Sequence, residues 1–278
     1  MSAQQHVFPS SAIEPTEPFL MQAKDQRFWL TKNHLDRFSE TFHSMFRSPH
    51  IGSPEEGTVG NPLFLDGIDP GDFEPLVRWL TFGANPPRDF PYTTGQLLGM
   101  LRLVDMWSMK EAKDFCYAGL ATLNPDPFFH LRVMTSFRDW DRLRPHVIQA
   151  VKLPVNDWPL RQPPVYEPLM ILAIRLSEVR RHAAAAPYHI PCHQSCTNHA
   201  LCTSSWENDW RINITAQVFH PTLPLPLDQC YNVMVNVSLN ANPCRMLALS
   251  EMQVDGDFDI EHDLVTAAVK GIEKNFNT

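Results

Sequence analysis

Hydrophobic positions recur along this chain in two periods, one of strands and one of helices. The clearest switch lies between Phe28 and Phe46 (FWLTKNHLDRFSETFHSMF), where an extended triplet, Phe28, Trp29 and Leu30, runs into a helical spacing. Leu35, Phe38, Phe42, Met45 and Phe46 stand at i, i+3, i+7, i+10 and i+11, which predicts one helix with five large apolar side chains on one face. Thr31 is its natural N-cap, with Asn33 as a second candidate. Ahead of it, Pro18–Ala23 and Arg27–Leu30 read as two short strands of a hairpin around Lys24 and Asp25. Pro62–Leu65 (PLFL) reads as a buried strand closed by Asp66 and Gly67.

Helical spacing then takes over. Asp69 is an N-cap with Pro70 at the first helical position, and Phe73, Leu76, Val77 and Leu80 form the inward stripe up to a stop at Gly83. Thr93 and Gln96 form a capping box ahead of Leu97, Leu98, Leu101 and Val104. Ser108 and Glu111 read as a second box ahead of Ala112, Phe115, Cys116 and Leu120, and Asn124-Pro125 ends that helix. Beyond it the pattern is helical throughout: from Asp126-Pro127 to about Asp139, from Pro145 through Val147, Ile148 and Val151, and along Leu169, Leu172, Ala173, Leu176 and Val179. Residues 227–239 fit two periods, a strand through Val233, Val235 and Val237 or a helix through Leu227, Tyr231 and Met234; helical neighbours favour the helix. A last helix runs from an Asp259 cap through Val265, Ala268, Ile272 and Phe276.

Composition narrows the function. The 278 residues carry 31 acids against 23 bases, a net charge of −8 without a basic block, which disfavours nonspecific binding to nucleic acid or to an anionic membrane. The start has neither a basic n-region nor an apolar run of signal-peptide length, and no stretch approaches the roughly 18 apolar residues of a span. An intracellular protein, in cytoplasm or nucleus, is expected, with its six cysteines reduced.

One cluster carries candidate chemistry. Cys192, Cys196, His199 and Cys202 offer four ligands for a tetrahedral zinc ion. The competing reading makes Ser195 a helix cap and places His199, Cys202, Trp206 and Trp210 on an inward face, Cys202 serving as a small hydrophobe. Asp255, Asp257 and Asp259 lack the full calcium-loop pattern and fit a helix-capping turn better. Neither G-x-S-x-G nor G-x-x-x-x-G-K-[ST] occurs, and no convergent catalytic set is legible, so an enzyme is not expected. Glu55 and Glu56, and likewise Arg180 and Arg181, read as solvated surface.

The ordered blocks FWLTKNHLDRFSETFHSMF, Glu55-Glu56-Gly57, PLFLDGIDPGDFEPLVRWLTF and LLGMLRLVDMWSMKEAKDFCYAGL resemble the BTB/POZ domain, and more narrowly the fungal, especially basidiomycete, BTB group. The resemblance implies an α+β fold, a short sheet with a helical cluster over 18–123, after a flexible 1–17 and before an all-α C-terminal region over 124–278. Leu35, Phe38, Phe42, Met45, Phe46, Phe73, Leu76, Leu80, Leu101 and Trp107 would form its core. It implies a non-catalytic adaptor or scaffold whose partner is another protein: a second copy of the chain, or a cullin scaffold of a ubiquitin ligase. The hydrophobic-x-Glu motif of cullin contact has no match in Gly83–Phe90. The alternative is a zinc-containing, nucleic-acid-linked regulator built on Cys192–Cys202, against which the net charge argues.

Overall fold

A computed structural model of the chain describes residues 17–48, 56–82, 92–159, 163–220, 224–238 and 242–277. Residues 1–16, Glu55, the expected stop at Gly83 and the loop that lacks the cullin motif lie outside them. The architecture is α+β, mostly helical, with one small sheet among the described residues. It divides into two compact units, Met1–Pro125 and Asp126–Thr278.

In the first unit, β1 (Pro18–Ala23) and β2 (Gln26–Thr31) pair antiparallel, from Pro18↔Thr31 to Ala23↔Gln26. Lys24 turns the chain at φ 51°, and its ammonium lies 2.6 Å from an Asp69 carboxylate oxygen. The strand β3 (Leu63–Phe64) joins the other side of β1 in parallel, giving the order β2-β1-β3. A parallel neighbour needs a crossover, and the helices between β2 and β3 belong to it. Gly57 lets this segment approach: its φ is 87°, its carbonyl accepts from the Leu20 N–H at 2.7 Å, and a Cβ there would stand 2.2 Å from the Phe19 ring. The third strand is not buried as its apolar run suggests. Phe64 is 59% exposed, while Pro62 and Leu65 on either side of the strand are buried.

The single helix expected after Thr31 is two helices, α1 (Lys32–Phe38) and α2 (Glu40–Arg47). Ser39, extended at φ −130° and ψ 118°, separates them. Its buried hydroxyl donates to the Trp107 carbonyl at 2.7 Å and accepts from the Phe42 N–H at 3.1 Å, so a distant carbonyl recruits it and it caps α2. Thr31 flanks α1 without a capping bond, its hydroxyl lying 3.1 Å from His34 Nδ1.

Helices α3 (Pro70–Thr81), α4 (Thr94–Met106) and α5 (Lys110–Leu123) complete the unit. Asp69 caps α3 through the Gly71 N–H, and Thr93 and Gln96 make a full capping box on α4. Ser108 does not cap α5. It takes φ 51° and closes α4 instead, as the Met109 N–H reaches back to the Val104 carbonyl at 2.8 Å, the pattern of a Schellman turn. The core is aromatic, with Phe28 on Phe73, Phe38 on Trp79 and Phe42 on Trp107 at centroid distances of 4.9, 5.1 and 5.2 Å. Leu35, Leu76, Leu80 and Leu101 are buried with them; Met45 and Phe46 are half-buried, Phe46 edge-on to Phe19.

The second unit is helical in its described residues: α6 (Pro127–Ser136), α7 (Leu143–Ala150), α8 (Pro163–Ala185), α9 (His199–Trp210), α10 (Ala216–Val218), α11 (Leu227–Ser238), α12 (Pro243–Asp255) and α13 (Ile260–Asn277). A π-helical turn, Arg211–Thr215, joins α9 to α10. Segment 227–238 is a helix that buries Leu227, Cys230, Tyr231 and Met234. Gly256, at φ 83°, ends α12 where the aspartate-rich turn stands. Arg180 is not a solvated cation: it forms a two-pronged, part-buried pair from α8 to Glu261 of α13, at 2.7 and 3.0 Å. Folding brings that carboxylate from 81 residues away, beyond any local signal.

Candidate metal centre

The cluster begins in a loop. After Ile190, which is buried, residues 191–198 run without regular structure to α9. Ser195 folds back on His193, its N–H 3.2 Å from His193 Nδ1, and so caps no helix. Asn198 caps α9 instead, its side chain accepting from the Leu201 N–H at 3.3 Å. That cap sets His199 as the first helical residue and turns Cys202, Trp206 and Trp210 inward, at i+3, i+7 and i+11 from it. Both indoles are buried and satisfied: Trp206 donates to the Tyr188 carbonyl and Trp210 to the Ala183 carbonyl, each at 2.8 Å.

Opposite α9 stands the start of α12. Asn242 caps it by accepting from the Cys244 N–H at 3.0 Å, and Pro243 takes the first turn. Cys244 is thus held at the positive end of a helix, fully buried. Its neighbour Arg245 pins α12 to α9 through Asp209 at 2.6 Å and Ser205 at 2.5 Å.

These elements bring Cys192, Cys196, His199 and Cys244 together, with all four ligand atoms within 4.8 Å of one another. Among the described residues this is the one group of three or more Cys, His, Asp or Glu whose ligand atoms converge so. Three members are those expected from sequence. The fourth is not: Cys244 stands where Cys202 was expected. Cys202 sits one turn further along α9, its Sγ directed to the Asn198 carbonyl at 3.2 Å, with the Asn242 amide against it and Cys196 Sγ at 3.5 Å. It belongs to the apolar core with Trp206, Trp210 and Met252. The competing inward-face reading therefore fits Cys202, Trp206 and Trp210, and the ligand reading fits Cys192, Cys196 and His199. Sequence did offer a signal for the missed residue: Asn242, Pro243 and Cys244 spell a helix start with a cysteine in its first turn.

The electrostatics of the cluster are uneven. At Cys244 burial works against the thiolate, but hydrogen bonds from the His193 N–H, His199, Cys196 and Cys202 outweigh it and bring the thiol down to about 7. At Cys196 burial, followed by hydrogen bonding with Cys202 and Cys244, pushes the thiol up to about 12. One negative charge is thus accepted at the buried end, and a second beside it is resisted. All six cysteines are free thiols.

Compared with protein-family models, curated proteins and solved structures, the chain matches none. Among the described residues no helix is long and apolar enough to cross a membrane.

Proposed function

We propose that the chain is a non-catalytic protein–protein interaction module of the BTB/POZ type, an adaptor or scaffold extended by its helical C-terminal unit. The order and closure of the first unit carry this reading: an antiparallel hairpin, two short helices broken at a buried serine, a single parallel strand, then α3, α4 and α5 around one aromatic core. A short sheet with a helical cluster is what the resemblance implies for a BTB/POZ domain; the break at Ser39 and the parallel pairing of β3 go beyond what the blocks imply. The surface of the sheet supports a binding role. Leu20 and Gln22 share one face of β1, so their partners Trp29 and Phe64 share it too. Trp29 is 54% exposed and Phe64 59%, two large rings left toward solvent beside Arg27. Aromatic residues and arginine are the side chains enriched where proteins meet.

A cleft in the second unit has part of its charged lining committed to internal pairs. It holds about 610 Å³ and is lined by Arg144, Arg180, Glu261 and His262, yet Arg180 is committed to Glu261, and an Arg144 nitrogen lies 2.6 Å from His262 Nδ1. The partner is a protein; a second copy and a cullin-type scaffold are the two classes the resemblance brings.

Affinity capture of the full chain from its source cells tests this reading, with Phe42→Asp to break the core and a Trp29→Ala/Phe64→Ala variant to strip only the surface. Partners lost from both variants, with the surface variant still folded by circular dichroism, support it. The same partners captured by Phe42→Asp would overturn it.

A further inference from the structure

We infer that Cys192, Cys196, His199 and Cys244 bind one zinc ion in a structural site, with Cys202 beside it as a core residue outside the coordination shell. The proposal stands independently of the interaction reading.

Geometry comes first. Zinc–sulfur bonds of about 2.3 Å and zinc–nitrogen bonds of about 2.0–2.1 Å place tetrahedral ligand atoms roughly 3.5 Å apart. The four atoms already lie within 4.8 Å of one another, so closing them on one ion takes shifts of about 1 Å. The donor set is three soft thiolates and one imidazole, the Cys3His composition of closed structural sites, with all four positions filled by protein and none open for catalysis.

A second, independent observation points to a ligand. His199 Nδ1 is buried and has no hydrogen-bond partner. A buried imidazole nitrogen left alone is costly, and coordination of the ion through Nδ1 relieves it. The surroundings also suit an anionic zinc–thiolate centre: the His193 N–H donates to Cys244 Sγ at 3.2 Å, and Cys244 sits in the first turn of α12.

The site has a clear structural task. Three ligands come from the irregular loop and the first residue of α9, the fourth from the start of α12. One ion therefore fixes the loop to two helices, next to the Arg245–Asp209 pair that already joins them. Binding displaces thiol protons as the cysteines become thiolates, and no electron changes hands.

The test is the metal content of the full chain, purified with reductant and without chelator, in wild type and in Cys244→Ser, Cys196→Ser and Cys202→Ala. About one zinc per chain is expected in wild type and in Cys202→Ala, and below about 0.2 in the other two. Should the serine variants fail to fold, cobalt added to zinc-stripped wild type and to Cys202→Ala keeps the question open to refutation. Both should show tetrahedral cobalt bands with thiolate-to-metal charge transfer. Wild type holding neither zinc nor cobalt would overturn the proposal. So would loss of metal in Cys202→Ala with retention in Cys244→Ser.

Discussion

The two units place their polar atoms differently. In the first, the interior is largely rings and aliphatic chains, with a few buried polar atoms on Trp79, Tyr92 and Tyr117, and the buried hydroxyl of Ser39 sets a helix boundary. In the second, polar links repeatedly join the helices: Trp206 and Trp210 to backbone carbonyls, Arg180 to Glu261, Arg245 to Asp209, and the Cys/His cluster. An apolar interior tolerates imprecise partners, because burial is non-directional. Directional links do not, since each group left unpaired in the interior costs its desolvation. The second unit should therefore be the more sensitive to loss of a single partner.

The strongest test of that contrast is metal removal. Removing the proposed zinc from the full chain under reductant is expected to collapse the near-ultraviolet circular dichroism of Trp206 and Trp210. Their core holds both Cys202 and Cys244, and structural zinc supplies folding energy directly. Trp79 and Trp107 of the first unit should keep their signal, which single-tryptophan variants can resolve. Equal loss in both units would break the comparison.

Next in size is Arg180→Met. It leaves the Glu261 carboxylate buried without its two-pronged partner, and a loss of about 3 kcal/mol is expected by urea denaturation. Adding Glu261→Leu should restore most of it, because the cost lies in the orphaned charge. A double variant no better than the single one would show that the pair contributes through packing.

Ser39→Ala is the counterpart in the first unit and should cost about 1–2 kcal/mol, for one cap and one tertiary hydrogen bond. A smaller shift in the urea midpoint than for Arg180→Met keeps the contrast; a larger one reverses it.

A pH dependence comes last, its size reduced by solvent screening of a ring that is only half-buried. Burial, with the neighbouring His130 adding to it, lowers His146 to about 4, and the two rings stack at 4.5 Å. The unfolded chain then takes up a proton below about 6.5 that the folded unit refuses, so stability falls as pH drops from 6.5 toward 4 and levels off below. His146→Gln should flatten that slope relative to wild type in urea midpoints taken from pH 7 to 4.5. Parallel slopes would remove His146 from the account.

Legibility followed the range of each interaction. The Lys24-Asp25 turn, the Asp69-Pro70 start and the Thr93/Gln96 box lie within a few residues of sequence, and the helix over 227–238 has its own period. Ser39 reads locally as an ordinary helical position, and Ser108 as a helix N-cap. Their roles come from the Trp107 carbonyl and from the backbone reversal that ends α4. The same division runs through the Cys/His cluster. Cys192, Cys196 and His199 announce themselves by spacing, while Cys244 arrives from a different helix and displaces the nearer Cys202.

The sequence by itself determined the helix starts at Asp69 and Thr93, the hairpin and the stripes of apolar residues, because these depend on backbone preferences and on periods of two and 3.6 residues. Only the tertiary structure decided where the Phe28–Phe46 helix breaks, which carboxylate meets Arg180 and which sulfur completes the cluster. Each of those depends on groups that approach only once the helices pack, and local spacing carries no record of that approach.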